Sequence, residues 1–269
     1  MMDPMLNIAI KAARIASKPM LHNIERLDQL EIEKKGRADF VSEVDRQAEQ
    51  LIIDTIHSAY PDHGILAEES GISGDKEKSE HEWIIDPLDG TTNYLHGLPV
   101  YAVSIALRVK DVLQAAVIYD PSRDELFSAS KGKGAHLNDR RIRVSNTSRF
   151  SDALLATGFP YNNMQYLDPW LGGFKALVPH VAGIRRAGAA SLDLAQVACG
   201  RYDGFWEFGL NAWDIAAGIL LIQEAGGFSS DMKGRQEMLE TGHIIAGNPK
   251  LFGKLQILLK EHAKGLEDR

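Results

Sequence analysis

Ile84-Ile85-Asp86-Pro87-Leu88-Asp89-Gly90-Thr91-Thr92-Asn93 is an apolar, strand-forming run that ends in two acids three residues apart and passes at once into a Gly-Thr-Thr-Asn turn. An isolated carboxylate is too costly to desolvate at the mouth of a strand, so the two acids call for a cation. The turn offers backbone N–H groups, which suit an anion. A cation site beside an anion site is the arrangement that metal-assisted phosphate chemistry requires. The plain alternative is a turn and nothing more, because Asp, Pro and Gly are common turn formers.

Three further acids widen the pattern. Glu68 ends the short apolar run Gly64-Ile65-Leu66-Ala67, as Asp86 ends its own. Asp214 follows Trp213 at the start of the helical run Ile215-Ala216-Ala217-Gly218-Ile219, and Asp45 stands at another helix start; for both, ordinary helix capping is the alternative reading. Every candidate ligand is an oxygen donor. The nine histidines show no H-x-x-x-H spacing and there is one cysteine, so zinc is disfavoured and a hard cation, Mg²⁺ or Mn²⁺, is expected. The N–H groups of Gly90 and Thr91 can hold a phosphate, and the Thr91 hydroxyl can orient a water. Gly188-Ala189-Ala190-Ser191 leaves backbone room for a ligand or packs a helix end on a sheet. Glu207 ends a strand, as an acceptor for substrate hydroxyls or as a surface acid. His63, His81 and His96 are expected in solvated loops, and Cys199 as a small core residue.

Around these residues the chain alternates elements. A helix is expected over 3–26, with Asp3 as N-cap, Pro4 in its first turn and Pro19 kinking or dividing it. A second helix covers 44–59, and Ser70–Glu82 reads as a mobile loop. Strands are expected at 64–67, 83–86, 101–109, 113–120, 125–130 and 135–137, with a hairpin turn at Asp120-Pro121-Ser122-Arg123-Asp124. Strand 154–157, helix 166–178, strand 182–185, helix 189–199, strand 203–207, helix 213–224, strands 228–230 and 244–246, and helix 249–263 complete an α/β series. The expected division is an N-terminal α+β half, 1–145, carrying the acid–turn motif, and a C-terminal α/β half, 146–269, in one compact unit.

With 269 residues the chain can bury a sizeable core. A net charge of −7 argues against general nucleic-acid binding, which needs a basic excess. Arg140-Arg141-Ile142-Arg143, Arg185-Arg186 and Lys131-Gly132-Lys133 are local basic clusters, read first as solvated surface. No apolar run approaches the roughly 18 residues of a membrane span. The N-terminus lacks a signal-peptide pattern, so a cytoplasmic location and no membrane contact are expected.

Taken together these residues resemble the inositol monophosphatase family. Trp83 to Asn93 matches its W-x-I-D-P-[LI]-D-G-T-x-N signature, and Trp213-Asp214-Ile215-Ala216-Ala217-Gly218 through Glu224-Ala225-Gly226-Gly227 matches its second signature. Ala67-Glu68-Glu69-Ser70 and Asp39 to Asp45 match two shorter elements, so the likeness covers nearly the whole chain. Ser42 stands where many members carry Thr, Ala189 where a hydroxyl residue is commoner, and Lys34 or Lys35 where the family has a loop lysine. The resemblance implies a layered αβαβα sandwich and a homodimer. It implies that Glu68, Asp86 and the Leu88 carbonyl hold one Mg²⁺, that Asp86, Asp89 and Asp214 hold a second, and that Glu68 helps a weaker third. Asp45 and Thr91 would activate the attacking water, Gly90 and Thr91 would hold the phosphate, and Asp89, Ala190, Glu207 and Asp214 would contact the inositol hydroxyls. Because the acids repel one another unless cations are bound, segments 33–43 and 70–82 are expected to be mobile without them.

The activity so implied is Mg²⁺-dependent hydrolysis of inositol 1-phosphate or related polyol and sugar phosphates. The same fold also serves fructose-bisphosphatases and 3′-phosphoadenosine nucleotidases, and that alternative stays open. The opening Pro4-Met5-Leu6-Asn7-Ile8-Ala9 and the segment Ala187–Ala195 look most like bacterial members of the family. That likeness implies a different role: a partner of RNA polymerase and its elongation factors in ribosomal RNA antitermination.

Overall fold

Trp83, Ile84 and Ile85 are all buried, yet they serve different cores: Ile84 packs on one side of its strand, Trp83 and Ile85 on the other. A strand apolar on both faces belongs in the middle of a layered fold. The computed structural model describes residues 3–27, 32–36, 39–73, 79–161 and 163–263, with the backbone alone at 32, 34–36 and 39–41. It carries an eight-stranded sheet, a five-stranded sheet and a two-stranded hairpin.

Helices α1 (Pro4–Asn23) and α2 (Glu43–Ala59) flank the hairpin β1 (Ile32–Gly36) and β2 (Asp39–Ser42). The large sheet comprises β3 (Gly64–Ala67), β4 (Gly71–Ser73), β5 (His81–Asp89), β6 (Ala102–Val109), β7 (Val112–Asp120), β8 (Glu125–Ser130), β9 (Gly134–Leu137) and β10 (Arg140–Arg141), in the order β10-β9-β8-β7-β6-β5-β3-β4. A five-residue helix, α3 (Thr91–Leu95), follows β5. The second sheet comprises β11 (Leu154–Thr157), β12 (Gly183–Arg185), β13 (Gly204–Glu207), β14 (Phe228–Ser230) and β15 (Ile244–Gly247), in the order β12-β11-β13-β15-β14. Helices α4 (Leu167–Leu177), α5 (Ala190–Ala198), α6 (Ala212–Glu224), α7 (Met238–Thr241) and α8 (Phe252–Lys260) complete the fold.

The layers follow from which side chains share a core. Helices α1 and α2 cover one face of the large sheet, burying Ala9, Ala13, Ile52 and Ile56 against Trp83, Ile85, Val103 and Val117. On the other face lie α5 and α6, whose Leu194, Ile215 and Ile219 meet Ile84, Ala106 and Phe127. The same two helices touch Phe205 and Ala246 of the second sheet. Trp206, one residue on, points the other way into a core with Trp170 of α4 and Leu255 and Leu259 of α8. Helix pair, sheet, helix pair, sheet, helix pair: this is the αβαβα sandwich that the sequence led us to expect.

Most expected elements are present within a residue or two, and the differences have local causes. Asp3 caps α1 by accepting from the Met5 N–H at 2.9 Å, and the helix continues through Pro19 instead of dividing. Pro19 removes one intrahelical bond only, and the Asn23 side chain donates back to its carbonyl at 2.9 Å. The stretch 70–82, expected as one loop, contains β4 and the start of β5, while 74–78 lie outside the described residues. Segment 33–43 holds the β1–β2 hairpin, and the side chains of Lys34, Lys35 and Asp39 are likewise outside. Strand β5 runs to Asp89 rather than ending at 86, with an irregularity in its pairing to β6 between Asp86 and Asp89. Pro87 lies inside that irregularity, where its missing N–H costs least. His63 and His81 are not solvated loop residues: they stack at 4.4 Å, and Trp83 Nε1 donates to His63 Nδ1 at 3.0 Å. His96 is exposed as expected. Cys199 is half-buried, and burial pushes its thiol up, as suits a packing residue.

Two features set the functional corner in place. Strands β3 and β5 are parallel neighbours, with Ala67 opposite Ile85, so their C-terminal ends open on the same edge. Glu49 of α2 is buried and accepts the N–H groups of Glu69 and Ser70, both at 2.8 Å, which fixes the chain as it leaves β3. Glu49→Ala removes the carboxylate that both N–H groups share. We expect it to lower unfolding free energy by about 2–3 kcal/mol, read from the denaturant midpoint.

Candidate active site

Parallel pairing brings Glu68 and Asp86 together, because each directly follows a residue of the last β3–β5 pair, Ala67 opposite Ile85; the Glu68 N–H donates to the Ile85 carbonyl at 3.2 Å. Asp86 is buried, and its Oδ1 accepts the Leu88 N–H at 2.9 Å, folding the chain back over Pro87. Burial holds its carboxyl well above the usual range, and the charges of Glu68, Asp89 and Asp214 push it further. Glu68 and Asp86 also share a side-chain hydrogen bond. The four acids therefore occupy one corner.

The two helix-start acids are neither N-caps nor free of capping. Asp45 is the third residue of α2: its Oδ2 accepts the Ser42 N–H at 2.8 Å and the Ser42 hydroxyl, while Val44 N–H donates to Ser42 Oγ. Asp214 holds the same place in α6, with its Oδ2 accepting the Asn211 N–H at 2.6 Å. A capping box uses one carboxylate oxygen to secure the helix end. In Asp45 the other oxygen faces the site and accepts the Thr91 hydroxyl at 3.0 Å. Thr91 Oγ1 is also 3.0 Å from the Leu88 carbonyl. Asp45 is buried, and desolvation raises its proton affinity against the lowering effect of Ser42 and Thr91.

Gly90 precedes α3 with φ +93°, and a Cβ there would lie 2.7 Å from the Val100 carbonyl, so only glycine fits the turn. The first N–H groups of α3 have no preceding turn to bond within the helix. Asp89 turns toward α5: its Oδ2 accepts the Ser191 N–H at 2.7 Å and the Ser191 hydroxyl. Burial raises Asp89, while these donors pull it back. Asn93 closes the corner, with Nδ2 donating to the Val100 carbonyl at 2.9 Å and the Ala187 carbonyl at 3.0 Å.

These groups border a cavity of about 530 Å³ lined by Glu68, Gly90, Thr91, Glu207 and Asp214, with Phe159, Tyr161 and Arg186 at its wall. A second cavity of about 120 Å³ holds Asp89, Ala190, Asp193 and Glu207. Glu207 keeps part of its surface on the cavity while its carboxyl is packed round by protein. Gly158 makes that packing feasible, since a Cβ there would meet the Glu207 carboxylate at 1.9 Å. Of the candidate site residues, Glu68, Gly90, Thr91, Glu207 and Asp214 line the larger cavity, Asp89 and Ala190 the smaller, and Asp45 reaches Thr91 through a hydrogen bond. Of the basic clusters only Arg186 lines a cavity; it, like Arg140, Arg141, Arg143 and Arg185, is exposed. Sequence reasoning gave no role to Glu49 or Asp193, and quoted Asn93 and Ser191 only as parts of their motifs. Only Glu49 carries a signal, one helical turn after Asp45 on the same face.

Among the described residues, no three acidic, histidine or cysteine side chains are already spaced as a metal-ligand set. Asp86 nevertheless feels the charges of Glu68, Asp89 and Asp214, so the four acids lie close enough to repel one another in the absence of a cation. The donor set, all hard oxygens around one buried carboxyl, fits Mg²⁺.

Burial, then the charge of Asp193, pushes the Glu207 carboxyl up to about 8 from its ordinary 4.5. Between those pH values the unfolded chain ionises Glu207 while the folded protein keeps it protonated. Stability from this group is therefore full at low pH and falls as pH rises, by up to about 1.4 kcal/mol per unit. Urea titrations at pH 5 and pH 8 should show the Glu207→Gln variant losing less stability across that interval than the parent.

Residues 1–264 match the model of the inositol monophosphatase family. The chain is 55% identical over 264 residues to the Nus factor SuhB of Pseudomonas aeruginosa, covering 97% of each. Among solved structures it is similar to the extragenic suppressor protein suhB of Bartonella henselae, at 44% identity and TM-score 0.93, over 98% of this chain and 100% of that one. It is also similar to an IMPase of Thermotoga maritima, at 31% identity and TM-score 0.88, over 98% and 100%. With the sandwich and the acidic corner in place, this likeness along almost its whole length makes the chain a member of the inositol monophosphatase family.

Proposed function

We propose that the protein is a Mg²⁺-dependent phosphomonoesterase that hydrolyses inositol 1-phosphate and related polyol phosphates. The observation that carries the reading is the convergence of Glu68, Asp86, Asp89 and Asp214 at one corner beside the Asp45–Thr91 hydrogen bond, with Glu68 and Asp214 lining the larger cavity. Glu68, Asp86 and the Leu88 carbonyl would hold one cation, and Asp86, Asp89 and Asp214 another, with Glu68 contributing to a weaker third; Mn²⁺ has the same ligand preferences. When bound, the cations neutralise charge on the phosphoryl oxygens and stabilise the leaving alkoxide.

The chain's own residues supply the rest. The N–H groups of Gly90 and Thr91 bind the phosphate at the start of α3. Thr91 gives its hydroxyl hydrogen to Asp45 Oδ1 and can then accept one from the attacking water, so the proton released in the attack ends on Asp45. Desolvation makes Asp45 a stronger base than a surface carboxylate, which suits it to that task. Glu68, just beyond the end of the neighbouring parallel strand β3, would also contact that water. Asp89, the Ala190 backbone, Glu207 and Asp214 meet the leaving alcohol, whose hydroxyls can accept from a protonated Glu207 as well as donate to Asp89. The cytoplasm and a homodimer belong to the same proposal; no described helix is long and apolar enough to cross a membrane.

Phosphate release from inositol 1-phosphate should require Mg²⁺, be blocked by Li⁺, and fall about 100-fold or more in Asp89→Asn. Folded protein that binds Mg²⁺ without turnover would sink the inositol assignment. Faster hydrolysis of fructose bisphosphate or a 3′-phosphoadenosine nucleotide would move the substrate within the fold.

A second reading rests on the 55%-identical relative that is a Nus factor. We propose that this chain also joins RNA polymerase and its elongation factors, using the exposed arginines at 140–143 and 185–186. A pull-down with those proteins should retain Asp89→Asn as well as the parent. No retention of either protein contradicts the partner role.

A further inference from the structure

The small cavity contains a carboxyl that neither signature nor cap explains. Asp193 is on the first turn of α5 and is 2% exposed, yet its Oδ1 has no hydrogen-bond partner. An acid in the first turn is favoured by the helix dipole. That accounts for the charge at this end of the helix, not for a buried oxygen left unpaired, which costs about 1–3 kcal/mol. The side chain borders the 120 Å³ cavity together with Asp89, Ala190, Glu207 and Arg186.

The surroundings are built closely. Gly158 lets the Glu207 carboxyl lie against the backbone, and a Cβ at 158 would displace it. Arg186 borders both cavities and stands over the rings of Phe159 at 5.3 Å and Tyr161 at 5.1 Å, which keeps its guanidinium at the wall. Among charged neighbours of Glu207, Asp193 acts most strongly. The small cavity therefore adds the Asp193 and Glu207 carboxyl groups to those of Asp89 and Asp214, around a space large enough for part of a polyol and too small for a second ring.

We propose that Asp193 is a specificity-determining residue of the phosphatase site, pairing with Glu207 to read adjacent hydroxyls on the leaving alcohol. This rests on the phosphatase reading above. A leaving group with vicinal hydroxyls offers a donor to the Asp193 carboxyl at the border of the cavity. An alcohol without them offers that carboxyl nothing and gains nothing from it.

The test compares inositol 1-phosphate with 4-nitrophenyl phosphate, which has no leaving-group hydroxyls beyond the ester, at saturating Mg²⁺. Asp193→Ala should raise KM for inositol 1-phosphate about 10- to 100-fold with a smaller change in kcat, and leave kcat/KM for 4-nitrophenyl phosphate within about threefold. Asp193→Asn, which keeps an oxygen acceptor, should restore most of the loss. If Asp193→Ala does not fold, Asp193→Ser is read in the same way. Equal losses on both esters, or no loss on either, overturn the proposal while leaving the phosphatase reading intact. Parent protein that hydrolyses neither ester overturns that reading and this inference with it.

Discussion

Repulsion among carboxylates is the constraint around which the structure is arranged. Four acids meet at one corner, and the buried Asp86 feels the other three as well as the loss of water. Left to itself such a group would spread apart or draw in solvent. Parallel pairing of β3 with β5 fixes where Glu68 and Asp86 emerge, and the buried Glu49 holds the chain just beyond Glu68. Ser191 holds Asp89, and the capping boxes of α2 and α6 hold Asp45 and Asp214. Each acid is anchored through an interaction that also stabilises an element, so the corner cannot relax without undoing secondary structure.

This dual use explains why the site is distributed so widely along the chain. A capping box needs an acid at the third helical position, and a carboxylate has two oxygens. In Asp45 one oxygen completes the helix end and the other meets Thr91. The question whether Asp45 and Asp214 are caps or functional residues therefore has no exclusive answer. Asn93 and Ser191 extend the same logic across the sandwich: they tie the turn after β5 to the start of α5, two segments about a hundred residues apart in the chain.

Legibility in the sequence followed the strength of local signals. Helix 44–59 was readable because the helical spacing of its apolar residues and the Tyr60-Pro61-Asp62 stop agree there. The β1–β2 hairpin and β4 were not, because Ile-Glu-Lys-Lys-Gly and Gly-Ile-Ser have no alternation to mark them, and pairing alone makes them strands. The stack of His63 on His81 was hidden for a related reason: the residues lie in different segments, and only the parallel strands bring the rings together.

By itself the sequence determined the fold class, the two long motifs, the five acids and the preference for a hard cation, since these depend on residue type, order and short spacings. Tertiary structure decided which oxygen of each acid faces the site, how Gly158 admits Glu207, and that Asp193 and Arg186 share its cavities. Those facts depend on side-chain direction and on contacts between distant strands and helices. Neither is set by local sequence, because packing across layers fixes them only once the whole chain has closed.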